Sequence, residues 1–263
     1  MYFFLQGAPS LDLGLKYQAV PTALKLVNSL TEERMLNFSV SWMPADNEIL
    51  CAKSGSISVL DSKLRVLCNE QLPNSVYSSI SYNGGIISRV VLDNTGNKNY
   101  KLYFGSKETP AKEVLCEVPY FRGYPYTKVG ACGATVAIIS GLNEHNHILK
   151  IYYFARKQFC HLFDIPLEDM QHPHGVCVMN DEFVLVTDSD GGEMRKYKIQ
   201  ANSEPVWAVG GLTSPYGVSY CPDSELIYTS SALSGERIYV HTSEGKEICC
   251  GSCSLSLNVN TIK

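Results

Sequence analysis

Short apolar runs recur along most of this chain, separated by clusters of Gly, Asp, Ser and Asn. Such runs, rich in Val, Ile, Leu and Tyr and closed off by turn residues, read as β-strands. One group runs Phe38–Ser41, Glu48–Ala52, Ile57–Leu60 and Leu64–Leu67. A second runs Val76–Ile80, Gly85–Val91, Tyr100–Phe104 and Val114–Cys116, and a third Tyr126–Gly130, Thr135–Ile139, Ile148–Tyr153 and Gln158–Leu162. Gly130-Ala131-Cys132-Gly133 reads as a hairpin turn. Only Thr31–Leu36 carries a helix signal, a turn or two long.

The last two groups repeat each other. Pro173-His174-Gly175-Val176, Val184–Asp188 and Arg195-Lys196-Tyr197 match Pro215-Tyr216-Gly217-Val218, Leu226–Ser230 and Arg237-Ile238-Tyr239. The paired Pro, Gly, Thr and Arg landmarks all stand 42 residues apart without a gap. A fixed period of this size marks stacked units that bury their apolar faces against one another. The Pro-x-Gly-Val phrase reads as a turn leading into a strand. Pro205–Val209 and Glu247–Cys250 supply fourth strands. Four antiparallel strands per unit of about 40–45 residues is the pattern of a propeller blade.

The expectation is therefore an all-β, six-bladed β-propeller of four-stranded antiparallel blades, as one domain over residues 1–263. Its blades fall at about 36–72, 76–119, 124–166, 172–211 and 214–253. The sixth combines residues 1–35, with strand candidates Tyr2–Leu5, Lys16–Val20 and Ala23–Val27, and residues 254–263, with Leu255–Val259. Closure by both chain ends hides the free strand edges of the ring. Five blades with loose termini is the alternative.

Composition narrows the partners. The net charge is −4 and the pI about 5.9, so a strong phosphate-binding surface is not the default. Arg195, Lys196 and Lys198 split between two strand faces. The ten Cys show no small-disulfide spacing, and the apolar start Met1–Leu5 stops at Gln6, short of a signal peptide. No stretch has the length of a membrane-spanning helix. These features predict a cytoplasmic protein with reduced thiols and no membrane association.

The phrase Pro-x-Gly-Val, strand, Thr-Asp-Ser, turn, Arg-x-Tyr resembles an NHL-type repeat. Pro173, Gly175, Val176, Asp188, Ser189 and Arg195 carry the match in one unit, and Pro215, Gly217, Val218 and Arg237 in the next, where Ser230 replaces the usual Asp. It covers about 172–253; upstream only the rhythm persists. The resemblance implies a recognition platform for protein or RNA, using loops on one face of the ring. Related six-bladed propellers include calcium-dependent lactonases resembling gluconolactonase and a zinc-dependent lyase of peptide amidation. In the lactonases the slot of His174 carries an Asn metal ligand and that of Asp188 an Asp; in the lyase the slot of His174 carries a His.

Candidate sites follow. His145, His147, His161, His172 and His174 cluster in sequence, with His145–His147 placed in a hairpin at the outer or opposite rim. Asp188 and Asp190 have the chemistry of hard-cation ligands, but an Asp there generally caps its turn by accepting backbone N–H groups. Ser230 then reads as a second short capping side chain. Cys249 and Cys250 read as buried strand-end residues, and Cys51, Cys116, Cys160, Cys177 and Cys221 as core fillers. There is no nucleophile elbow and no P-loop. The Tyr-rich loop Tyr120–Tyr126 shares its connection class with Gln171–His174 and Leu212–Tyr216, a composition enriched at interfaces.

These readings favour a non-enzymatic recognition propeller, without a cofactor, that binds a protein partner through Tyr124, Tyr126, His174 and Tyr216. RNA is a partner the charge balance disfavours. Two alternatives stay open: a lactonase-like metal-dependent hydrolase or lyase using His174 and Asp188, and a structural subunit of a larger assembly.

Overall fold

A computed structural model describes residues 39–43, 48–53, 56–61, 65–71, 75–82, 86–92, 99–105, 113–118, 129–141, 146–155, 158–231 and 237–252. The terminal strand candidates, Thr31–Leu36 and Tyr120–Tyr126 lie outside them. The described residues are all-β, without helix, and form four-stranded antiparallel sheets. Sheet one holds β1 (Ser39–Met43), β2 (Glu48–Lys53), β3 (Ser56–Asp61) and β4 (Val66–Gln71). Sheet two holds β5 (Ser75–Tyr82), β6 (Ile86–Leu92), β7 (Asn99–Gly105) and β8 (Glu113–Val118). Sheet three holds β9 (Val129–Cys132), β10 (Thr135–Gly141), β11 (His147–Ala155) and β12 (Gln158–Pro166). Sheet four holds β13 (Pro173–Val178), β14 (Phe183–Asp188), β15 (Glu193–Lys198) and β16 (Pro205–Val209). Sheet five holds β17 (Pro215–Cys221), β18 (Leu226–Ser231), β19 (Arg237–Thr242) and β20 (Glu247–Ser252).

Within each sheet the strands pair in chain order. The first strands of successive sheets lie against one another, and the second strands of sheets one, two, three and four pack on the first strand of the next. That face-to-face series of meandering sheets is propeller-like.

Side-chain burial follows from this stacking. β10 and β14 are buried along nearly their whole length, and β14 has sheet three on one face and sheet five on the other. β16, at the far edge of sheet four, alternates between half-buried and exposed positions. Sheet four sends residues both ways. Val176, Val178, Val184, Val186 and Tyr197 pack with Ala137, Ile139, Leu149, Ile151 and Ile165 of sheet three. Met179, Leu185 and Met194 pack with Ile227 and Tyr239 of sheet five. Each such aliphatic side chain, fully buried, stabilises the stack by about 1.5–3 kcal/mol.

Local readings change in three places. The Pro-x-Gly phrase is not a turn but a β-bulge inside the first strand: Pro173 pairs with Asp188 and Val176 with Val186, while Pro215 pairs with Ser231 and Gly217 with Ser230. Proline fits the first strand position because it has no N–H to leave unpaired, and the bulge absorbs the extra residue. Gly130, Ala131 and Cys132 belong to β9, and the turn is Gly133-Ala134. The Arg landmark also fails to hold its place. Val186 lies between Val176 and Arg195, whereas Thr229 lies between Val218 and Tyr239. Tyr239, not Arg237, therefore occupies the register position of Arg195.

Candidate functional site

The antiparallel pairing puts several connections at one end of the stack. Pro173, at the start of β13, pairs with Asp188 at the end of β14, so Leu167–His172 and the turn Ser189–Gly192 emerge together. The Ser189 amide donates to the His172 carbonyl at 3.0 Å. The Leu212 amide donates to Gly192 at 2.9 Å, which joins the next connection to the same end. His147 belongs there too, since the Leu167 amide donates to its carbonyl at 2.9 Å. The hairpin beginning β11 is thus on the same end as His172 and His174, not on an opposite rim. His147 itself is buried, and His145 lies outside the described residues.

Asp188 organises this end. It is fully buried, and its two oxygens accept backbone N–H groups from Gln171 (2.5 Å), His172 (2.8 Å), Gly191 (2.9 Å) and Asp190 (3.2 Å). A carboxylate so engaged locks the connection before β13 to the turn after β14. Any cation at Asp188 competes with those four donors. Among the described residues no group of three His, Cys, Asp or Glu side chains gathers in a way that holds a metal ion.

A second arrangement ties sheet four to sheet five. The Gly175 amide donates to Thr187 Oγ1 at 2.9 Å, and that hydroxyl donates onward to the Tyr216 carbonyl at 3.4 Å. His174 Nδ1 donates to the same carbonyl at 3.1 Å, and its ring stacks on that of Tyr216. Position 175 must be glycine, because a Cβ would lie 2.6 Å from both Thr187 Oγ1 and the Tyr216 carbonyl oxygen. His172 meets His174 edge-on and approaches Asp190 at 3.5 Å, Nδ1 to Oδ1.

Two further side chains brace the connections. Arg195 donates to the Glu168 carbonyl at 2.6 Å and to Glu193 at 2.5 Å. Tyr239 accepts the Thr213 amide through its hydroxyl at 2.9 Å. Both act on the segment leading into their own sheet, which explains why they share a register position despite unlike chemistry. No motif pointed to Tyr239; the only available signal was its place at the end of the repeated Arg-x-Tyr phrase.

Of the four residues expected on the binding face, Tyr124 and Tyr126 lie outside the described residues. His174 is fully buried and so does not stand at the surface, and Tyr216 is half-buried. Exposed at this end are Glu168, Asp169, Gln171, Asp190 and Thr213. Ser230 does cap, but differently: it accepts the Gly217 amide of its own first strand at 3.2 Å.

Cys68, Cys132, Cys160, Cys177, Cys221, Cys249 and Cys250 are free thiols. Cys177 fits the core-filling expectation, and burial pushes its thiol up to about 12, which keeps it protonated and unreactive. Cys160 and Cys250 are exposed, because they lie on the outer strands β12 and β20, and Cys249 is only half-buried. Cys51 and Cys116 fall on β2 and β8.

No protein-family model matches the chain, and no curated protein matches it in sequence. Its likeness is to solved structures. A protein of unknown function from Bacteroides caccae superposes with a TM-score of 0.59 at 13% identity, covering 87% of this chain and 86% of that one. A functionally unknown protein from Desulfotomaculum acetoxidans gives 0.50 at 16%, over 83% of this chain and 67% of that one. Kluyveromyces lactis Hsv2 gives 0.50 at 11%, over 82% and 64%. Identities this low speak for a shared all-β, propeller-like fold and nothing further.

Proposed function

We propose that the chain is a non-enzymatic recognition propeller of NHL-like type, with six blades closed by strands from both chain ends. In this reading it binds a protein partner through the connection end of its sheets. One observation carries the reading. The buried polar groups at this end are spent on holding its loops in place, Asp188 on four backbone amides and Thr187 with His174 on one carbonyl. What faces solvent is a preorganised set of loop side chains, among them Gln171, Asp190 and Thr213, beside half-buried His172 and Tyr216. Preorganisation of this kind lowers the ordering cost of association.

The test compares affinity capture by the natural protein with capture by Gln171→Ala/Asp190→Lys. Lys246→Glu, in the hairpin at the opposite end, serves as control. Both positions 171 and 190 are exposed, so melting stays within about 0.5 kcal/mol. The face variant is expected to lose its partner by tenfold or more, while Lys246→Glu keeps it. Equal retention by both variants removes this face from the proposal. Loss of the partner on ribonuclease treatment assigns the surface to RNA instead.

A further inference from the structure

His241 lies on β19 and is fully buried, and neither of its ring nitrogens meets a hydrogen-bonding protein atom. Its cross-strand neighbours are Ile227 on β18 and Glu247 on β20, and its ring lies 6.5 Å from that of Tyr239. Tyr239 and Ile227 pack into the layer between sheets four and five. Across that layer Lys196 is buried as well, with its ammonium 3.1 Å from the Ser243 carbonyl and 4.2 Å from the centre of the Phe183 ring. The titratable or charged groups facing this layer are thus Tyr239 on its own strand, Glu247 on β20, Tyr220 on β17, Cys177 on β13 and Lys196 on β15. Only Glu247 favours a charged imidazole, and it is exposed.

An imidazolium here gains a second N–H donor with no acceptor, in a layer that already holds one cation. Burying an unpaired charge is among the costliest events in a protein interior. We propose that His241 is an acid-sensitive latch between sheets four and five: protonation loosens the layer and the tie across it from Lys196 to Ser243. This inference goes beyond the recognition reading and does not rest on it.

Burial holds the His241 imidazole below its ordinary value of 6.5, and the charge of Glu247 offsets this only in part. The open chain therefore takes up the proton more readily than the folded one. The latch is at full strength above about pH 6.5 and weakens as pH falls toward the folded value, by up to about tenfold in the opening constant per pH unit for one proton.

Hydrogen exchange of residues 215–252, corrected for intrinsic rates, is measured from about pH 7.5 to about pH 5.5. The natural protein is expected to open these strands more readily at the acid end, approaching tenfold per unit. His241→Phe and His241→Leu are expected to flatten that dependence. Unchanged dependence in a folded variant overturns the latch. Should neither variant fold, NMR titration of His241 in the natural protein decides: titration at or above the ordinary value overturns the proposal, and titration below it supports it.

Discussion

Sheets four and five carry the same phrase at a strict 42-residue period, yet they hold their connections differently. In sheet four a buried carboxylate gathers four backbone amides from two loops. In sheet five the matching residue, Ser230, accepts one amide from its own first strand. The bracing side chain is Arg195 in one and Tyr239 in the other. A one-residue offset between β17 and β18, relative to β13 and β14, moves Ser230 off the position of Asp188, and a three-residue shift between β18 and β19, relative to β14 and β15, brings Tyr239 to that of Arg195. Spacing in a repeat preserves the strands; register decides what each landmark does.

The contrast is sharpest at Asp188 and Ser230. Asp188→Ala is expected to cost about 3 kcal/mol or more, since it strands several buried donors of a charged acceptor. Ser230→Ala, losing one neutral bond, should cost about 1 kcal/mol. Urea unfolding of both variants checks the ratio, and equal costs would contradict the hub described for sheet four. Gly175→Ala comes next, at about 2 kcal/mol, because the added methyl meets Thr187 Oγ1 and the backbone of β17, and backbone cannot step aside. Its denaturation midpoint against the natural chain reads this directly. The smallest effect separates the two arginines. Arg195→Ala is expected to cost about 1–2 kcal/mol through the lost bonds to Glu168 and Glu193. Arg237→Ala, at an exposed position, should stay within about 0.5 kcal/mol. Similar melting losses for both would mean that sequence spacing, not register, sets their roles.

The strands were legible because apolar runs and turn clusters record burial and chain reversal directly, as at Val184–Val186 and Leu226–Tyr228. The Asp188 cap was legible because a short acidic side chain beside a Gly-Gly turn has few other uses. The burial of His174 was not: a polar residue beside a proline reads as loop surface, and only the bulge turns its ring under Tyr216. Arg237 misled because the pairing of β18 with β19 is shifted by three residues relative to that of β14 with β15, while the sequence spacing stays at 42. Cys160 and Cys250 misled because strand residues next to apolar neighbours look interior, while the outer strand of each sheet has one side open.

The Tyr216 carbonyl takes two donors from sheet four, the Thr187 hydroxyl and the His174 ring. Both of its lone pairs are therefore committed to the neighbouring sheet, and Thr187 is itself held by the Gly175 amide. A stacked array in which units touch only through side chains melts as a row of nearly independent segments, each with its own small free energy and a weak coupling to its neighbours. Here the coupling joins side-chain donors of one sheet to the main chain of the next. Opening β13 withdraws donors from β17, so these two units form one cooperative element, and a chain break or insertion placed between them at Leu212–Ser214 divides a single folding unit rather than separating two.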